Sequence, residues 1–259
     1  VSKSRILVDV GNSRLKLAPL TTPPGSLGPV GAVEVGDSTG LERLLGQTLR
    51  EHPGALWLVA TVNPPVSERL IQRLRGAGAR FRLLASAEDV GIAHRLETPG
   101  TTGADRALNV LAARTLMSRE GRDGPGIVVS CGTALVVERI DGTGTWDGGA
   151  IATGLGLASR SLHELTAQLP MVRPGESAPR PFGPSTATAI AAGVFWGVVG
   201  AARELIARQS EGLAERPWRI WTGGDAARIA AAVDGDGARV EPDLVIRGLA
   251  ELVDSDLPS

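Results

Sequence analysis

The stretch ILVDVGNSRLKL, residues 6–17, decides how the rest of the chain is read. Ile6, Leu7, Val8 and Val10 form an aliphatic run. Gly11, Asn12 and Ser13 follow as small turn formers, and Leu15 and Leu17 then alternate with Arg14 and Lys16. Aliphatic and β-branched residues around a Gly turn predict strand, turn, strand. Asp9 is out of place in such a strand, because burying an unpaired carboxylate is costly. It calls for a nearby cation or a charged ligand. Residues 127–134, IVVSCGTA, repeat the pattern: an apolar strand, two residues, Gly, a small polar residue, then a second strand. The copies lie about half the chain apart, which suggests two related α/β halves. Two such turns facing each other would present backbone N–H groups from both sides and clamp phosphates. Two ordinary hairpins are the plainer alternative.

The other segments agree with an α/β chain. ALWLVATV, RFRLLA, GIVVSCGTALVVERI and RIWTGG read as strands, whereas SERLIQRLRGAG and ADRALNVLAARTLM carry helical spacing. In the latter, Leu108, Leu111, Ala112, Thr115 and Leu116 fall on one face. The polar, Gly-rich REGRDGPG, residues 119–126, marks a boundary between domains at residues 1–118 and 126–259. The Pro-rich stretch at residues 168–185 reads as a surface loop between helices.

Composition excludes several classes. With 42% hydrophobic but only 3% aromatic residues, the core must be aliphatic. A net charge of -1 gives no reason to expect nucleic-acid or bulk membrane binding. The single cysteine, Cys131, rules out an internal disulfide and a multi-Cys metal cage. His52, His94 and His163 have no metal-binding spacing, and no P-loop motif occurs. A strand is expected within a few residues of the start, so no signal peptide and a cytoplasmic location are expected. Residues 186–202 carry no charge but fall short of a membrane span and are rich in Ala and Gly, which predicts a helix buried in protein. Ala189, Gly193, Gly197 and Ala201 recur every fourth residue there and would let another helix approach closely, from within the chain or across the two-fold axis of a homodimer.

Taken in order, DVGNSRLK, GADR, CGTA, GGAI, TAQL, TGGDA and RGL resemble the ordered motifs of the type III pantothenate kinases, in the acetate kinase, sugar kinase, Hsp70 and actin superfamily. Each motif is weak alone, but the ordered set spans the chain. The resemblance implies two duplicated ribonuclease H-like domains with a cleft between them. It also implies ATP-dependent phosphorylation of pantothenate to 4'-phosphopantothenate, the first step of coenzyme A biosynthesis. Asp9, Gly11, Asn12, Ser13 and Lys16 would then meet ATP phosphates, with Asp9 orienting Mg²⁺ and Lys16 neutralising the transferring phosphoryl group. Gly132 and Thr133 would form the second turn, and Gly223, Gly224 and Asp225 would lie beside adenine and ribose. Asp105 would accept the proton of the pantothenate hydroxyl; at a helix N-terminus its carboxylate is expected to stay ionised. Leu96, Gly103, Ala104, Asp105 and Arg106, with Thr166 and Thr186 from a partner chain, would bind pantothenate at the interface of a homodimer. A monovalent cation, K⁺ or NH₄⁺, is also implied.

The sequence departs from the family pattern at five positions. Ser130 replaces the Asp that usually opens the second turn, Val136 replaces a Thr, and Glu138 replaces an Asp at the end of the next strand. Leu96 stands where some members have an aromatic, and Thr153 where Pro is usual. Ser130 and Glu138 are the remaining candidates, with Asp9, for metal contacts. A non-catalytic or regulatory relative, or a kinase for another small hydroxy acid, is the alternative reading.

Overall fold

The computed structural model describes residues 4–21 and 26–254. The chain folds into two units: one takes residues up to Ile92, Glu97–Leu116 and residues from Leu244 on, the other Ala93–Leu96 and Met117–Asp243.

In the first unit the described strands are β1 (Arg5–Val10), β2 (Arg14–Thr21), β3 (Ser26–Leu27), β4 (Gly31–Glu34), β5 (Leu56–Thr61) and β6 (Arg80–Leu84). They form one sheet in the order β3-β2-β1-β5-β6, with β4 also paired to β2. β1 runs antiparallel to β2 and parallel to β5, and β5 runs parallel to β6. A strand paired on both edges and covered on both faces needs a continuous apolar run, and Ile6, Leu7, Val8 and Val10 are all fully buried. Helices α1 (Ser38–Glu51) and α2 (Pro64–Gly76) are closed at their N-termini by Asp37, whose carboxylate accepts from the Gly40 N–H, and by Asn63, which accepts from Val66. Pro64 at the first helical position needs no hydrogen-bond partner and pre-sets φ. Leu41, Leu45, Val66, Leu70 and Leu74 bring these helices onto Trp57, Val59 and the β1–β2 hairpin. Helix α3 (Ala104–Arg119) starts in this unit and buries Ala104, Ala107, Leu108, Ala112 and Ala113. Leu111, Thr115 and Leu116, expected on the same face, are only half-buried.

The second unit repeats the plan. Strands β7 (Gly126–Cys131), β8 (Ala134–Ile140), β9 (Trp146–Thr153) and β10 (Trp218–Thr222) pair in the order β10-β7-β8-β9. β7–β8 and β8–β9 are antiparallel, and β10–β7 is parallel. Where the first sheet carries β6, the second has a single parallel bridge from Trp221 to Val240. The duplication read from the two Gly turns is therefore present in the strand order as well. Helices α4 (Leu155–Glu164), α5 (Thr186–Ser210) and α6 (Ala226–Asp234) belong to this unit. α5 lays Ile190, Val194, Phe195, Val198, Val199 and Ile206 on the sheet. Its other side is not covered, and Ala189, Gly193 and Gly197 are exposed.

Two boundaries differ from the sequence expectation. The last helix, α7 (Leu244–Asp254), belongs to the first unit although the chain reaches it from the second. Leu244, Ile246 and Leu249 are buried, and Gly248 brings α7 against α3; a Cβ there would lie 2.3 Å from the Leu108 carbonyl oxygen. Linear order does not reveal which sheet a terminal apolar helix covers. Residues 93–96 make the opposite exchange and join the second unit. The Gly pair of the GGAI motif, Gly148 and Gly149, lies inside β9.

Candidate active site

The first unit gathers one set of the expected residues around the β1–β2 turn. β1 and β2 are closed by Gly11, whose N–H donates to the Arg14 carbonyl at 3.0 Å, leaving Asn12 and Ser13 at the tip. Asp9 and Lys16 are direct partners in the antiparallel register, so they stand on the same face of the sheet. A lysine therefore lies opposite the strand carboxylate across the hairpin. Beyond β5 the chain stays close: Val62 N–H donates to the Val10 carbonyl at 3.1 Å, and Asn63 Nδ2 donates to the Gly11 carbonyl at 3.4 Å.

Val62 also brings in the start of α3. A Cβ on Gly103 would lie 2.9 Å from Val62 Cγ1 and 2.6 Å from Asp105 Oδ1, so only glycine fits between them. Gly103 is pinned by a bridge to Ser86, and Ala104 is fully buried. Asp105 and Arg106 open the helix half-exposed, with Asp105 Oδ1 accepting from the Arg106 N–H at 2.8 Å. The first unit thus places a Gly turn, a Lys–Asp register pair and a carboxylate at a helix N-terminus along one connected path.

The second unit gathers the other set from backbone rather than charge. Its hairpin is one residue tighter: Gly132 N–H donates to the Ala134 carbonyl at 3.0 Å, with Thr133 at the tip. Gly154, the residue before α4, donates its N–H to the Thr133 carbonyl at 3.1 Å, and a Cβ there would lie 2.1 Å from the Gly132 carbonyl. From the other side Gly223, at φ +99°, leaves no room for a Cβ, which would sit 2.4 Å from the Cys131 carbonyl. Asp225 N–H donates to that same carbonyl at 3.0 Å, and its carboxylate pairs with Arg228. Three glycine segments, around Gly132, Gly154 and Gly223–Gly224, therefore converge without intervening side chains. Beside them a cavity of about 210 Å³ is walled by Leu155, Ile190, Val194, Phe195 and Pro174, with Arg228 contributing the guanidinium. Cys131 lies under the turn, where burial, and then the charge of Asp225, pushes its thiol up to about 12.

Three of the five positions that depart from the family pattern, Ser130, Val136 and Glu138, fall in this second hairpin. Ser130 and Val136 are register partners, so the pair equivalent to Asp9–Lys16 carries no charge. Glu138 is only 2% exposed and its Oε2 accepts from Trp146 Nε1 at 2.8 Å. Gly149 makes the space, since a Cβ there would come within 2.3 Å of the same oxygen. Among the described residues no cluster of three or more His, Cys, Asp or Glu could hold a metal ion.

Leu96 is held in the second unit by its neighbours. Trp146 N–H donates to the Ala93 carbonyl at 3.0 Å and Arg95 N–H to the Trp146 carbonyl at 2.9 Å. The Arg95 side chain pairs with Asp141 and Asp147. The Thr143 hydroxyl, the backbone N–H groups of Thr145 and Thr143, and Arg95 hold the Asp141 carboxyl well below the usual carboxylate range. Leu96 then lies over Gly148, whose Cβ would meet its Cδ2 at 3.5 Å.

Thr166 and Thr186 are not brought to the second turn. Thr166 lies past the far end of α4 from Gly154, about 15 Å away along a ten-residue helix, and Thr186 is exposed at the start of α5. Their surroundings are apolar and open, with Leu165 82% and Phe182 74% exposed. Three contributors escaped the sequence reading. Gly154 lay in GLGLAS, which matched no dinucleotide fingerprint; Asn63 had only the cap signal of Asn-Pro after a strand; Trp146 had none.

Strand order and paired Gly turns define a duplicated ribonuclease H-like fold of the kind used by sugar kinases. Solved structures agree on the fold: a Baf family transcriptional activator from Campylobacter jejuni (TM-score 0.61, 18% identity, 96% of this chain and 98% of that one) and a 2-dehydro-3-deoxygalactonokinase from Sinorhizobium meliloti (TM-score 0.59, 14% identity, 98% and 100%). The family model for type III pantothenate kinase matches residues 5–208, and the type III pantothenate kinase of Acidiphilium cryptum is 37% identical over 199 residues, covering 74% of this chain and 70% of its relative. The chain belongs to the type III pantothenate kinase family.

Proposed function

We propose that this chain transfers the γ-phosphoryl group of ATP to the hydroxyl of pantothenate, the first step toward coenzyme A. The observation that carries the reading is the path in the first unit from the Asp9–Lys16 pair and the Gly11 turn, through Val62, to Gly103 and Asp105. The pantothenate hydroxyl oxygen attacks the γ-phosphorus, the bond to the β-phosphate oxygen breaks, Asp105 takes the hydroxyl proton and ADP leaves. In so loose a transition state a carboxylate serves mainly by orienting the hydroxyl. Lys16 stabilises charge on the moving phosphoryl group. Arg106 pairs with the pantothenate carboxylate. In the second unit the Gly132–Thr133 turn would face a phosphate, and the apolar recess by Leu155 and Arg228 receives the adenine.

Mg²⁺ fits the donors present. In the first unit the Asp9 carboxylate is a hard oxygen donor, and Mg²⁺ commonly relies on one or two carboxylates plus substrate phosphates. When bound it would neutralise phosphate charge. By the family resemblance Glu138 is the candidate ligand for K⁺ or NH₄⁺, so activity should differ between K⁺ and a bulky organic cation. We place the enzyme in the cytoplasm as a homodimer. A groove of about 290 Å³ between α4, β9 and α5 is lined by Ala158, Leu162, Gly193, Gly197 and Ala201, and a Cβ on Gly193 or Gly197 would meet nothing within 4 Å. A partner helix seated there would cover this face, and the family resemblance implies that the Thr166 and Thr186 of that second copy help to bind pantothenate. A coupled ADP-release assay with ATP, pantothenate, Mg²⁺ and K⁺ tests the reaction; no pantothenate-dependent ADP would refute it. Refolding Asp105→Asn together with a pocket-blocking Thr186 variant tests the shared site, since heterodimers should regain activity absent from either parent.

A further inference from the structure

We infer that Asn63 is a positioning residue for phosphate binding, acting through the Gly11–Asn12 peptide; the inference rests on the proposed kinase function. Asn63 does two separate jobs. Its Oδ1 accepts from the Val66 N–H and caps α2, and its Nδ2 donates to the Gly11 carbonyl 52 residues away. Its own N–H is fixed by the Thr61 hydroxyl at 3.1 Å, so the side chain starts from an anchored backbone.

The second contact sets a direction. A trans peptide is planar, and its C=O and N–H point opposite ways. Holding the Gly11 carbonyl toward Asn63 therefore turns the Asn12 N–H, at the exposed tip of the turn, away from Asn63. Two residues on, the carbonyl of Ser13 is drawn aside by the Val35 N–H at 3.0 Å. Phosphate oxygens attract N–H donors and repel carbonyl oxygens, so a phosphate-binding turn needs its carbonyls held back. Gly11 has no side chain to resist rotation of its peptide, and Asn63 supplies the restraint.

Asn63→Ser tests this, because serine keeps the cap but cannot reach Gly11. The Kd of ATP by calorimetry and the KM for ATP should rise about tenfold, the worth of a hydrogen bond to a charged group. The KM for pantothenate and the melting temperature should stay near wild type. Asn63→Thr, a second capping residue without the donor, should behave alike and serves if the Ser variant folds poorly. Unchanged ATP affinity in a folded variant overturns the inference, as does an equal rise in both KM values. A wild-type chain that binds ATP but leaves pantothenate unphosphorylated refutes the proposed function alone and leaves the Asn63 measurement valid. A wild-type chain that binds no nucleotide overturns both.

Discussion

The two hairpins that open the two units share one plan and divide its work. The first pairs Asp9 with Lys16 across the strands and holds a two-residue tip with the side chain of Asn63. The second pairs Ser130 with Val136, is one residue tighter, and is braced by the backbones of Gly154 and Gly223. One turn carries charge beside the start of α3; the other carries shape. A duplicated scaffold can therefore keep charge in one turn and close backbone packing in the other. Three of the five departures from the family pattern, Ser130, Val136 and Glu138, lie in the second hairpin, whereas the first keeps Asp9 and Lys16.

Breaking the charged side should cost most. Lys16→Met should lower kcat by about 10²–10³-fold, the usual loss for a positioned group that stabilises transition-state charge. Val136→Met, at the equivalent register position, should leave kcat near wild type. Steady-state kinetics of both variants decide whether charge resides in one hairpin only.

Breaking the shape should cost stability instead. Gly223→Ala puts a methyl group at positive φ and against the Cys131 carbonyl, and should destabilise the second unit by roughly 2–4 kcal/mol. Gly11→Ala meets only the Arg14 carbonyl, at 3.1 Å, and Gly132→Ala meets nothing within 4 Å; each should cost less than about 1 kcal/mol. Urea unfolding compares the three.

The smallest effect concerns Cys131. In an unfolded chain a thiol ionises near about 8.5, whereas burial pushes this one up to about 12. Its folded value is raised, so the contribution to stability is complete below the unfolded value and is lost as pH rises toward about 12. At pH 8 the native thiol should resist a thiol reagent and react only on unfolding. Rapid modification of the folded protein would show that the floor of the second turn is open.

Much of this was legible in residues 6–17 and 127–134. A strand Asp before a Gly turn and the echo of that turn sufficed to expect two α/β halves, because strand periodicity and turn chemistry are local. The ownership of α7 and of residues 93–96 was not legible, since both depend on which sheet an apolar segment meets after the chain has folded back. Nor was the burial of Glu138, which is set by the Trp146 indole and the space left at Gly149. Nor was the role of Asn63, whose reach to Gly11 is a contact between residues 52 positions apart.

The most direct test of the central claim is product formation by Asp105→Asn with ATP binding measured in parallel. The variant should bind ATP as the wild type does and form phosphopantothenate about 10²–10⁴-fold more slowly, as expected for loss of a general base. Turnover near the wild-type value would contradict the claim and remove Asp105 from the chemistry.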